Sequence, residues 1–277
     1  MLTERRNPYL VGDVLKLRVP DNTCSQSRQF LRAEIIKLIL PFTMSAAMIV
    51  RIHEPTLDIK GTFFLKFYDR CCDSECRSRN FEDGATKEHE FLTTHWDREY
   101  HRYLWTEKGT ANLEKILKGD RDFKEMPKHN DDEDEEELAS RELALWAEMG
   151  LHDQCIGTSN NERAVYRRLK DLQGKSILRV VAEVELPDFY STQYCSPDIS
   201  SEIRRTLGLL TEYVDGFNLE DLGRPTERFK EPPAQGGHVQ IITDRVLDIV
   251  RTIMSRGVLN CDSKLRNTLI HSCVGIL

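Results

Sequence analysis

Three short apolar runs, "AEIIKLIL", "SAAMIVRIHE" and "GTFFLKFYDR", follow one another from Ala33 to Arg70, split by "PFTMS" and by the turn-like "EPTLDIKG". Segments this short, rich in Ile and Val and punctuated by Pro and Gly, read as strands of an antiparallel meander. Any fold open to this chain has to accommodate that sheet.

The rest of the chain reads as helices alternating with a few further strands. From Cys71 to about Lys128 the composition turns polar, with helical spacing at Tyr103, Leu104, Leu113, Ile116 and Leu117. The acidic run Asp131 to Glu137 has no apolar residue and is expected to be a solvated, mobile loop. "ELASRELALWAEMG" puts Leu138, Leu145 and Trp146 on one helical stripe and stops at Gly150. "SNNERAVYRRLKDLQG" is the best-marked helix: Ser159 and Glu162 form a capping box, Val165, Leu169 and Leu172 a buried stripe, and Gly174 the stop. "SILRVVAEVEL" and "TLGLLTEYVDG" read as strands. After the loop "GRPTERFKEPPAQGG", the segment "HVQIITDRVLDIVRTIMSRG" repeats Ile242, Val246, Ile249, Val250 and Ile253 at helical spacing and ends at Gly257. No internal repeat is visible.

Composition narrows the function classes. Of 277 residues, 39% are hydrophobic and 31% charged, as in an ordinary globular protein. The net charge of -7 equals the seven acids of the run at 131–137, so the remainder is near neutral. No basic stripe points to nucleic acid and no long apolar run to a membrane. The first residues lack the apolar core of a secretory signal, so an intracellular location, cytoplasmic or nuclear, is expected. The eight cysteines then read as free thiols. Cys71, Cys72 and Cys76 cluster, but no second Cys/His pair at matching spacing completes a zinc site.

Four pieces in order, "PFTMS", "LKFYDR", "ERAVYRRLKDLQG" and "GVLNCDSKLRN", carry a resemblance. From about Ile35 onward the chain resembles a divergent, fungal-type member of the protein kinase-like superfamily. The resemblance implies an α+β, two-lobed kinase-like fold: an N-terminal antiparallel sheet plus helix C, then an incomplete helical C-terminal lobe. Residues 1–34 would be an extension, 35–214 the first lobe with an insertion at about 70–158, and 215–277 part of the second.

The resemblance also implies a site for ATP and Mg²⁺. Lys66 would hold the α/β-phosphates, with Glu162 as its ion-pair partner. The bland alternative is an outward-facing strand lysine, and Glu162 has the rival role in the cap with Ser159. Thr211 would guard the rear of the adenine pocket, and Glu212 and Val214 would offer backbone groups to the base; otherwise this is an edge strand and turn. Asp262 would accept the proton of the attacking hydroxyl, Lys264 would steady the γ-phosphate, and Asn267 would hold a metal ion. The alternative is that Asp262 and Asn267 make turn hydrogen bonds.

Departures from the family pattern keep other functions open. Asn260-Cys261 stands where the family has His-Arg, which removes the partner of an activation-loop phosphate. "LPFTMSAAM" stands where a Gly-rich phosphate cover belongs, leaving Thr43, Ser45 or backbone amides to serve. The metal-binding Asp motif expected after "NTLI" does not follow. The expectation is a Ser/Thr-type ATP-dependent phosphotransferase domain, a fragment inactive and aggregation-prone by itself, with a protein substrate or partner of unknown identity. The alternatives are a pseudokinase-like interaction module and a small-molecule kinase of the aminoglycoside phosphotransferase type.

Overall fold

The computed structural model of the chain describes residues 9–20, 29–40, 42, 45–69, 111–112, 115, 133–187, 205–221, 237–259, 268–271 and 275–276. The expected meander is present as β2 (Gln29–Ile39), β3 (Ala46–Glu54) and β4 (Ile59–Phe67), preceded by β1 (Val14–Val19). With β5 (Val180–Leu186) and β6 (Thr206–Glu212) these strands close into an antiparallel barrel in the order β1-β2-β3-β4-β6-β5. Side chains alternate across each strand, so one set turns inward. Leu15, Leu17, Leu31, Ala33, Ile35, Met48, Val50, Ile52, Leu65, Phe67, Val184, Leu186 and Leu210 are that set, and together they form one buried core.

A two-lobed kinase-like fold is not what this sequence adopts. Its sheet does not stay open: β1 pairs with β2 from Val14↔Glu34 to Val19↔Gln29 and with β5 at Arg18↔Glu185, so it completes a ring. The physical cause lies in the stretch read as an extension. Leu15 and Leu17 there fill the barrel on either side of outward-facing Lys16, and β1 gains a partner on each side, β2 along its length and β5 at Arg18. Among the described residues the long helices are two, α1 (Glu133–Arg168) and α2 (Gly237–Ser255), and no helical lobe is seen. A small sheet is made by β7 (Gly216–Asn218), β8 (Leu269–His271) and β9 (Gly275–Ile276).

Helix α1 also departs from expectation. Its 36 residues run unbroken through Gly150, where a stop was expected, and through Ser159, where a second start was expected. Met149, Leu151 and Cys155 are buried, and that packing outweighs the roughly 1 kcal/mol by which a helical glycine is disfavoured. The acidic run, read as a mobile loop, supplies the first turn of the helix from Glu133 onward. Ser159 therefore lies inside a helix, buried, with no hydrogen-bond partner for its Oγ, and caps nothing.

Two contacts fix the ends of these elements. Tyr9 stacks on Phe67 with ring centroids 5.9 Å apart and donates a 2.7 Å hydrogen bond to Asp69, sealing one end of the barrel. Helix α2 stops at Gly257, as expected, in a left-handed conformation (φ 72°). There Arg168 donates to the Arg256 carbonyl, and the Arg256 guanidinium grips both carboxylate oxygens of Asp171 at 2.7 Å. The end of α2 is thereby tied to the turn that follows α1.

Candidate functional site

Lys66 lies between inward-facing Leu65 and Phe67, so its side chain stands on the outer face of β4, flanked in register by Ala47 and Leu209. Helix α1 covers that face: Cys155, Ile156 and Tyr166 pack with Tyr68, Leu207, Leu209 and Val180. Glu162 falls on the same side of the helix as Ser159 and Tyr166, three and four residues away. Its Oε2 accepts a 2.6 Å hydrogen bond from Lys66 Nζ. Both side chains are 28–29% exposed, so the pair sits at the boundary of the interior with one side open. Of Glu162's two candidate roles, the structure displays the ion pair and not the cap.

Aromatic groups surround this pair. The Lys66 ammonium lies 5.2 Å from the centre of the Tyr68 ring, within range of a cation–π interaction. Burial, and then the nearby Glu162 carboxylate, push the Tyr68 hydroxyl far above the usual phenol range, and the hydroxyl forms no well-aligned hydrogen bond. Tyr166 is raised for the same reasons, burial first and then Glu162 and Glu212. Both phenols therefore stay neutral.

The strand beside Lys66 carries two more of the residues singled out by the sequence, and a third follows it. Thr211 is buried on β6, with its hydroxyl 3.5 Å from the Phe64 carbonyl. It lies two residues from Leu209, the register partner of Lys66, and so on the same face. Glu212 donates its backbone N–H to the Arg179 carbonyl at 2.9 Å, and its carboxylate accepts from the Arg179 N–H at 2.7 Å. That N–H is thus engaged within the protein. Val214 follows in the connection to β7, half-buried, and makes no hydrogen bond among the described residues.

Ser45 directly precedes Ala46, whose register partner is Phe67, so the β2–β3 connection lies at the Lys66 end of β4. Thr43, in the same connection, lies outside the described residues, as do Asp262, Lys264, Asn267 and the cysteines at 71, 72 and 76. The helical spacing read at Tyr103, Leu104, Leu113, Ile116 and Leu117 lies outside them too. The flanks of the segment 260–267 are described. It leaves α2 after the Asp171–Arg256 clamp and rejoins at Thr268, whose carbonyl accepts from the Leu219 N–H at 2.8 Å. No group of three His, Cys, Asp or Glu side chains among the described residues is arranged to hold a metal ion.

Sequence reasoning missed the arginine–carboxylate contacts on β5. Glu183 meets Arg163 and Arg167, and Glu185 meets Arg18 and Arg205. The signal was present in "VVAEVEL", where acids alternate with Val and Leu and so must share the face opposite the core.

No protein-family model matches the chain, and no curated protein matches it in sequence. No helix among the described residues is long and apolar enough to cross a membrane.

Proposed function

We propose that this chain binds ATP on the Lys66 side of β4 and acts as an ATP-dependent phosphotransferase of the protein-kinase type, directed at Ser or Thr hydroxyls. The observation that carries the reading is the Lys66–Glu162 ion pair. A lysine held by a carboxylate from another element, with about a quarter of its surface still open, has a fixed ammonium to offer phosphate oxygens. The barrel scaffold does not weigh against it, because chemistry resides in sites that recur on unrelated folds.

On this reading each residue has a bounded task. Glu162 holds the Lys66 ammonium in place, and Lys66 draws charge from the α/β-phosphates. Ser45, and Thr43 beside it, cover the phosphates from the β2–β3 connection. Thr211, Glu212 and Val214 bound the base. Asp262 takes the proton as the substrate hydroxyl oxygen bonds to the γ-phosphorus and the bond from that phosphorus to ADP breaks; Lys264 steadies the group in transit. Mg²⁺, when bound, would neutralise phosphate charge, with the Asn267 amide oxygen as its protein ligand. An ATP-consuming activity implies an intracellular setting.

One observation favours a second reading, a nucleotide-binding interaction module without catalysis: the β2–β3 connection, "PFTMS", contains no glycine to bring backbone amides close to phosphates. A single series separates the two. Lys66→Met is expected to weaken ATP binding at least about tenfold by calorimetry, the worth of one charge-assisted hydrogen bond. Unchanged ATP affinity in that variant would sink both readings. ATP binding without transfer to any protein hydroxyl, in wild type and Asp262→Ala alike, would leave the second.

A further inference from the structure

Glu183 and Glu185 alternate with buried Val184 and Leu186, so both carboxylates stand on the outer face of the barrel. All four of their oxygens are engaged by arginines. Arg167 donates to Glu183 Oε1 at 2.6 Å and Arg163 to Oε2; Arg205 donates to Glu185 Oε1 at 2.6 Å and Arg18 Nε to Oε2 at 2.6 Å. The two groups are one cluster, since Glu183 and Glu185 stand two residues apart on one face of β5, and Arg163, already disfavoured in its charged form by burial, also feels Arg167, Glu185 and Arg205.

Four guanidinium charges therefore meet two carboxylates, and none of the four arginines pairs with any other acid among the described residues. Gathering like charges at a partly desolvated face is unfavourable unless something negative joins them. Donors remain as well. Arg163 Nε is buried with no partner, and one turn earlier on the same helix face Ser159 Oγ is buried with none. Arg167 is 64% exposed, which leaves a route in from solvent.

We propose that Arg18, Arg163, Arg167 and Arg205 form a binding site for a phosphate-class dianion, separate from the Lys66 site. Two negative charges balance the excess, and the planar N–H forks of arginine match tetrahedral oxygens in a way a lysine does not. A chloride ion supplies half the charge and has no separate tetrahedral oxygens to receive several forks. The anion is taken to be free phosphate and not a nucleotide's own phosphoryl group; this assignment does not depend on the proposed ATP site.

The test uses the full chain, with inorganic phosphate and ATP as separate probes and sodium chloride at matched ionic strength as the control. Phosphate is expected to raise the thermal midpoint above the chloride control. Arg167→Gln leaves Glu183 paired with Arg163 and should fold. It is expected to weaken phosphate binding at least about tenfold, with Arg167→Lys intermediate. ATP affinity should not change in Arg167→Gln, and phosphate affinity should not change in Lys66→Met. Equal effects of phosphate and chloride would overturn the proposal. So would unchanged phosphate affinity in Arg167→Gln, or a loss of ATP affinity there that matches the loss for phosphate, which would merge the two sites.

Discussion

Arg18 on β1 and Glu185 on β5 face each other at the one register pair that joins the first strand to the fifth, and their side chains form the ion pair that closes the barrel. Glu185 is 3% exposed, and Arg205 holds its second oxygen. Removing one partner of a buried charge network leaves the others unpaired, which costs more than the network itself contributes. Glu185→Gln is therefore expected to destabilise the fold by about 3 kcal/mol, the low end of the range for buried pairs, because both arginines keep part of their surface in water. Urea unfolding measures it; a change under about 1 kcal/mol, as for surface pairs, would mean that the ring is held by strand pairing alone.

Gly208 tests the barrel from inside. A methyl group there would meet Phe67 Cδ1 at 2.7 Å and the Lys66 carbonyl at 2.9 Å, and the backbone oxygen has nowhere to go. Gly208→Ala should cost about 1–3 kcal/mol by overpacking. Because Phe67 also carries the stacked Tyr9 and adjoins Lys66, the ATP affinity proposed for that site should fall with stability. Thermal unfolding and calorimetry on one preparation check both.

Some of this architecture was legible in the sequence and some was not, for physical reasons. Strands β2 to β4 announce themselves because inward apolar residues alternate over a long stretch and Pro and Gly mark the turns. Strand β1 does not, since in its six residues Leu15 and Leu17 are the only fully buried side chains, and what places them in a barrel is closure against β5, far along the chain. The ion pair of Lys66 with Glu162 spans 96 positions, so periodicity says nothing about it; the order of motifs brought the two residues together. The role of Glu185 was hidden for the opposite reason. An acid alternating with Val and Leu looks like a solvated strand face until Arg18, 167 residues away, is folded against it.

Alkaline pH gives a test of the α1 interface. Tyr68 is 3% exposed, and burial followed by the Glu162 carboxylate raises its ionisation well above 10.0. In the unfolded chain the phenol titrates near pH 10, so above that point the unfolded state releases a proton that the folded state retains. The neutral phenol's contribution is complete below about pH 10 and is lost as pH rises, by about 1.4 kcal/mol per pH unit. Tyr68→Phe removes that dependence. The difference in urea midpoint between wild type and variant should be constant at neutral pH and shift in favour of the variant above about pH 10. A difference that stays constant throughout would show Tyr68 to be accessible.

Ser159 separates two accounts of where Glu162 sends its carboxylate. If a helix began at Ser159, its hydroxyl would cap the first turn, Glu162 would reach back to complete the box, and Ser159→Ala would cost about 1 kcal/mol. In the structure Ser159 lies within α1, fully buried, with its Oγ unpartnered, while Glu162 is engaged by Lys66. Alanine is the better helix former by about 0.5 kcal/mol, and removing an unsatisfied buried hydroxyl adds to that gain. In phosphate-free buffer Ser159→Ala is therefore expected to stabilise the chain by about 0.5–1 kcal/mol, with the helical circular dichroism unchanged or higher. A loss of about 1 kcal/mol instead would put the helix start at Ser159, turn Glu162 toward the backbone and leave Lys66 without its partner.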